Sequence, residues 1–213
     1  MGTLMTPSVD HVILTNLRWA TFKALLKDLG DDRGGRIAYD KGTLEIMSPS
    51  RRHERVKGLI GRFIETFTEE LNVKLASMSS TTLTSQLKEK GVEPDECYYV
   101  QNEAAVRASD DLDLARDPPP DIAIEIDISR GSLNKWTIYA ALGVPELWTH
   151  TGDKLEVYLL RKNGKYTRSK VSAAFPQLPI PDVARFLDKR DSLDETSLVR
   201  AFRAWVRERF QIS

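Results

Sequence analysis

The 213-residue chain is poor in the residues that usually announce a site: one cysteine, Cys97, and three histidines, at 11, 53 and 150. A single thiol forms no intramolecular disulfide, and a cysteine zinc site needs several thiolates, so both are excluded. Histidines this far apart in sequence speak against a histidine-built zinc site. The chain carries no serine or cysteine nucleophile motif and no glycine-rich phosphate loop. It also lacks an excess of either charge, since Lys+Arg and Asp+Glu both total 31. No global field draws in a polyanion, so any affinity for nucleic acid has to come from a local patch. No window approaches the roughly 18 apolar residues that span a bilayer, and the opening MGTLMTPSVDHVILTN has neither the basic start nor the apolar run of a signal peptide. The expectation is a water-soluble, cytoplasmic protein with no membrane partner.

What the chain does have is a globular composition, 41% hydrophobic and 29% charged, in a length that suits one substantial domain. Asn16 is placed to cap a helix over 17–29, with Trp19, Phe22, Leu25, Leu26 and Leu29 on one face. RIAYD and TLEIM flank Lys41-Gly42, a tight hairpin signal. Val56, Leu59, Ile60, Phe63, Ile64 and Phe67 recur every three or four residues, which predicts a long helix over 51–71. Strands are expected over 73–78 and 81–88 and at ECYYV, then a polar stretch, 101–117, holding a short helix. A strand over 122–128, a helix over 132–142 and a short strand at ELWTH make a parallel crossover unit. KLEVYLL and KYTRSKV are joined by Asn163-Gly164, and FPQLPIPD reads as a loop leading to a terminal helix with Ser192 and Glu195 as its capping box. The sum is a single α/β domain with a mixed sheet.

The stretch PPPDIAIEID, residues 118–127, carries the chemistry. Asp121, Ala123, Glu125 and Asp127 alternate with isoleucines, the period of a strand with one apolar and one acidic face. An edge strand with a solvated face would read the same way. A strand that feeds a crossover helix, however, normally has both faces covered, and buried carboxylates need a neutralising partner. A divalent cation such as Mg²⁺ meets that need while leaving room for a phosphate oxygen. Pro94-Asp95 opens a second apolar strand in the same manner, so Asp95 and Glu125 could hold one metal between neighbouring strands. Lys135 starts the helix after the acidic strand, where an ammonium could orient water or stabilise charge at phosphorus; a solvated surface lysine is the plainer reading. His53 stands among Arg51, Arg52 and Arg55 at the start of the long helix. There a phosphate would find arginines and free N–H groups together, unless Glu54 simply compensates the charge.

KGTLEIMSPSRRHERV, GVEPDECYYV, PPDIAIEID and KWTIYAALGVPELW, in that order, resemble the Uma2 family (the DUF820 group), with similarity over about 36–183. The resemblance implies a PD-(D/E)XK nuclease core, a restriction-endonuclease-like mixed β-sheet flanked by helices. It places an N-terminal helix in 1–35 and a C-terminal helical extension in 184–213. It also implies an Mg²⁺- or Mn²⁺-dependent endonuclease acting on DNA as a homodimer. Asp95, Asp121 and Glu125 would hold the metal, and Lys135 would complete the catalytic set with Asp95 and Glu125. Arg51, Arg52, His53 and Arg55 would position the nucleic acid. The sequence departs from the family's pattern at Asp127, Gly131 and Thr149-His150. The alternative is a nuclease fold kept as a binding module for nucleic acid or protein, which zero net charge favours.

Overall fold

Ser50 accepts a hydrogen bond from the His53 N–H at 3.2 Å and so caps α2 (Arg51–Glu70), whose apolar stripe is buried along its length. The computed structural model describes residues 11–30, 33–109, 112–128 and 131–212. Before α2 come β1 (His11–Leu14), α1 (Trp19–Leu29), β2 (Arg36–Asp40) and β3 (Thr43–Met47). After it follow β4 (Ala76–Ser77), β5 (Leu83–Ser85), β6 (Lys90–Val92), β7 (Glu96–Tyr99), α3 (Glu103–Val106) and β8 (Ile122–Ile126). The chain closes with α4 (Lys135–Leu142), β9 (Glu146–Thr151), β10 (Lys154–Leu160), β11 (Tyr166–Ser169), α5 (Ile180–Leu187) and α6 (Glu195–Phe210).

The α/β class and the strand–helix–strand unit agree with the expectation, but the strands form two sheets rather than one. A six-stranded sheet runs β11-β10-β9-β8-β7-β4, with β8 and β9 parallel and its other pairs antiparallel. A five-stranded antiparallel sheet runs β1-β3-β2-β6-β5. The chain changes sheets at Glu93-Pro94-Asp95. The Glu93 N–H still bonds Ile37 of the smaller sheet at 2.8 Å, while the Asp95 N–H bonds Ile124 of the larger one at 3.1 Å. Pro94, which has no N–H to satisfy, fits between them.

Both faces of β8 are covered. Ile122, Ile124 and Ile126 join α2, α5 and α6 in the main core, with Phe63, Trp148, Phe175 and Phe202. Ala123 faces the other way, into a second cluster with Cys97, Leu147, Ile138 and Tyr139. The solvated-face reading of the acidic strand therefore does not hold.

Other local expectations shift for identifiable reasons. Asn16 does not cap α1: it takes a left-handed conformation (φ 58°), and the helix starts at Trp19 after an extended Arg18. The 81–88 strand shortens to β5, which turns at Glu89 (φ 48°) into β6. The 73–78 strand is reduced to β4, the 122–128 strand ends at Ile126, and the 132–142 helix begins only at Lys135. The loop after Phe175 contains α5, with Ile180, Val183, Phe186 and Leu187 buried on one stripe. The cap of α6 is Asp194, which accepts from the Ser197 N–H at 2.9 Å, and not Ser192. Among the described residues, no helix is long and apolar enough to cross a membrane.

Candidate active site

The ladder between β7 and β8 sets the first two groups. Glu96 pairs with Ile124 and Cys97 with Ala123, so one step further Asp95 stands across from Glu125. Both carboxylates are 0% exposed. Asp95 Oδ2 accepts the Ile126 N–H at 2.8 Å, which ties the carboxylate to the end of β8. Glu125 is held from α4, where Lys135 Nζ donates to Oε2 at 2.8 Å and the Tyr139 hydroxyl donates to Oε1 at 2.5 Å. Lys135 and Tyr139 lie one helical turn apart, so both side chains reach back over the strand.

Electrostatics follow from that burial. Burial pushes the Glu125 carboxyl above its ordinary value, against the pull of Lys135, and the nearby Asp95 charge adds to the rise. Burial alone would lower the Lys135 ammonium, but Glu125 and Asp95 outweigh it and the group is held above its usual value. For Asp95, burial would also raise the carboxyl. His53, Lys135 and the Ile126 N–H more than offset this and keep it below the usual range. The Tyr139 hydroxyl, fully buried beside Glu125, is pushed well up and stays protonated.

Asp95, Glu125 and Lys135 are thus brought together, as the sequence led us to expect. His53 joins them instead of facing solvent: it is 5% exposed, and its Nε2 lies 2.8 Å from Asp95 Oδ1. The sequence places it among the arginines that start the long helix, as a residue positioning nucleic acid, and the structure sets it against Asp95 as well. Asp121 is not part of the cluster. Its carboxylate accepts from the N–H groups of Val100 and Asn102 and from the Asn102 amide, at 2.6 to 3.0 Å, and pins the end of β7. Four residues of strand separate it from Glu125, on the order of 13 Å, so it is corrected from metal ligand to structural anchor. Arg52 and Arg55 remain outside but are engaged by acids: Arg52 with Asp153 at 3.2 Å, and Arg55 with Asp191 at 3.1 Å and Glu195 at 3.5 Å. Arg51 is exposed on the same face.

Sequence reasoning missed three contributors. Arg36 of β2 places its Nε 3.5 Å from Asp95 Oδ1, and its other nitrogens reach Glu93 and Glu54. Tyr139 lies in the KWTIYAALGVPELW stretch that carries the resemblance, but the sequence assigns it no role. Glu45 of β3 is a buried carboxylate that accepts the Ser132 and Leu133 N–H groups at 3.0 Å, so it fixes the segment leading into α4 and Lys135. A Cβ on Gly131 would lie 2.8 Å from both Glu45 oxygens, so a larger residue here would require that carboxylate to shift. A pocket of about 210 Å³ opens beside the cluster, lined by His53, Arg52, Ile126, Asp127 and His150.

The residues fit a divalent cation. Asp95 Oδ1 is buried and accepts no aligned hydrogen bond, and Lys135 and Tyr139 use only one lone pair on each Glu125 oxygen. Among the described residues, no group of three or more His, Cys, Asp or Glu side chains is placed to hold a metal ion, so the protein would offer only one or two ligands. Few protein ligands is the usual pattern where waters and substrate phosphates complete the coordination.

The family model for Uma2, described as "Putative restriction endonuclease", matches residues 19–194. A crystal structure described as that of a putative nuclease belonging to DUF820, from Anabaena variabilis ATCC 29413, is similar at 16% identity. The match covers 76% of this chain and 90% of that one, with a TM-score of 0.46. No curated protein matches.

Proposed function

The chain belongs to the Uma2 family, and on that premise we propose that it is a metal-dependent endonuclease hydrolysing phosphodiester bonds in DNA. The observation that carries this reading is a pair of fully buried carboxylates on neighbouring strands, one with an oxygen that accepts no aligned hydrogen bond, in contact with a buried lysine. Asp95 and Glu125 would hold Mg²⁺ or Mn²⁺. When bound, the cation supplies charge neutralisation at the phosphate and a more acidic bound water. Tyr139 orients the Glu125 carboxylate by its hydrogen bond. Lys135, held charged by the two acids, offers its remaining Nζ–H donors to an attacking water or to the developing negative charge on phosphorus. Asp95, kept ionised, needs no deprotonation before a cation is taken up.

The test is supercoiled plasmid incubated with Mg²⁺ or Mn²⁺. Nicking or linearisation is expected for the native protein and none for Glu125→Ala. Lys135→Met is expected to lose cleavage, on the order of a hundredfold or more, while cation binding measured by calorimetry persists. A second reading, a binding module without turnover, is favoured by the absence, among the described residues, of three or more His, Cys, Asp or Glu side chains placed to hold a metal ion. Plasmid retarded on a gel but left intact with either cation would establish it instead.

A further inference from the structure

Among the described residues, four buried side-chain atoms lack an aligned hydrogen bond: Arg36 Nε, His53 Nε2, Glu54 Oε1 and Asp95 Oδ1. They are not scattered. Arg36 and His53 both reach Asp95, so three of the four gather around a single carboxylate oxygen, and Glu54 meets them through Arg36. Leaving several polar atoms of one buried cluster unsatisfied is costly unless another group completes them.

The two central atoms are close without being bonded. His53 Nε2 and Asp95 Oδ1 stand 2.8 Å apart, a hydrogen-bonding distance, yet the ring nitrogen does not aim its N–H at the oxygen. Neighbouring ligands of one octahedral cation stand about 3 Å apart, the diagonal of two bonds of about 2.1 Å at a right angle. The spacing suits a shared cation as well as a shared proton. Access is also present, since His53 lines the pocket of about 210 Å³ at the cluster's edge. Arg36 does not fill the place: 3.5 Å from Nε to Oδ1 is a charge contact, too long for a strong hydrogen bond.

We propose that His53 binds the cation directly through Nε2, beside Asp95 Oδ1. The site is then a mixed imidazole–carboxylate one that takes a first-row transition cation such as Mn²⁺ in preference to Mg²⁺. Imidazole nitrogen is a poor ligand for Mg²⁺, which favours oxygen and keeps its waters; transition cations accept nitrogen readily. The inference rests on the metal-dependent reading above and names the chemistry of its cation. Ser50 contributes by capping α2 at the His53 N–H, which sets the first turn from which the imidazole is presented. His150 lines the same pocket and is the competing nitrogen source.

The experiment binds Mn²⁺ and Mg²⁺, each alone, to the full chain and to its His53→Ala and His150→Ala variants, by calorimetry. Pulsed electron paramagnetic resonance of the Mn²⁺ complex then reads nitrogen coupling. The native chain is expected to bind Mn²⁺ about tenfold or more tightly over Mg²⁺, with histidine nitrogen coupling on the manganese. His53→Ala should remove the coupling and lower Mn²⁺ affinity on the order of 10- to 100-fold, while Mg²⁺ affinity changes little. His150→Ala should leave both unchanged. Manganese bound with no nitrogen coupling would overturn the proposal, as would coupling that survives His53→Ala. An equal loss of both cations in His53→Ala would also overturn it, by showing that His53 only positions Asp95. Should His53→Ala fail to fold, coupling retained in His150→Ala and altered by isotopically labelled histidine decides the matter without it. A native chain that binds neither cation sinks the metal-dependent reading itself, a different result from a cation bound through oxygen alone.

Discussion

Lys135 and Glu125 form a buried ion pair whose two members depend on each other. Removing one partner of such a pair leaves an uncompensated charge and commonly costs 3–5 kcal/mol, whereas removing both costs less. Glu125 is already pushed toward its protonated form by burial, which softens the loss. Lys135→Met is therefore expected to destabilise the fold by roughly 3 kcal/mol, and adding Glu125→Gln should restore part of that. Urea denaturation of the two singles and the double checks it; strict additivity would show that the pair is not coupled. At Gly131, an added Cβ meets both Glu45 oxygens at 2.8 Å. Gly131→Ala should displace the carboxylate from Ser132 and Leu133, costing on the order of 1–3 kcal/mol. Faster amide exchange at residues 132 and 133 would report the displacement; unchanged exchange would mean that the carboxylate adapts. Glu125 was legible because period-two alternation exposes acids on an apolar strand, and Asp95 because Pro94-Asp95 opens a second such strand. Glu45 was not, because no local pattern links TLEIM to a segment 87 residues later. Asp121 looked equivalent to Glu125 in sequence, and only the neighbouring Val100 and Asn102 N–H groups distinguish them.

The elements themselves were largely legible, and their pairings less so. Hydrophobic period predicted α2 to within a residue at its end, and turn chemistry predicted the β2–β3 and β10–β11 hairpins. Division into two sheets was not legible, because a strand's pattern shows that a face is buried but not which edge it meets. The α5 helix was hidden by Pro179 and Pro181, which read as loop signals although proline is well tolerated in a helix's first turn. At the other end of the main core, α6 is fastened to α2 by Arg203 and Arg207, which both reach Glu70. Arg207, together with Arg203, holds the Glu70 carboxyl below its ordinary value. A depressed carboxyl contributes stability in full above its unfolded value, near pH 4.5, and loses it as the pH falls through the folded value. Glu70→Gln should therefore lower the melting temperature at pH 7 by at most a few degrees, since the arginines are part-exposed and screened. At a pH below the folded value, the variant and native chains should melt together. Equal melting at pH 7 would mean that apolar packing alone docks α6.

Across the whole molecule, charge is balanced at 31 against 31, and the balance is local as well as global. The first turns of α2 and its middle carry Arg51, Arg52, Arg55 and Arg62 beside a groove of about 1170 Å³. Asp153, Asp191, Asp194 and Glu195 line the same groove. Arg55 is engaged by Asp191 and Glu195, and Arg62 by Glu195 at 3.4 Å. Such exposed pairs are weak, so a phosphate can displace the acids, but their repulsion of the polyanion stays. If DNA crosses this face on its way to Asp95 and Glu125, those acids limit affinity and flatten its dependence on salt. Asp191→Asn with Glu195→Gln would free Arg55 and Arg62 without touching the buried cluster, since both acids are largely exposed. Each phosphate newly neutralised steepens the slope of log affinity against log salt by about 0.9, so the double variant should steepen it by about 1.8 and bind more tightly at low salt. Fluorescence anisotropy of a labelled duplex across a salt series, in the absence of divalent cation, measures both quantities. A slope unchanged within error would place the DNA on another face and remove the arginines of α2 from its path.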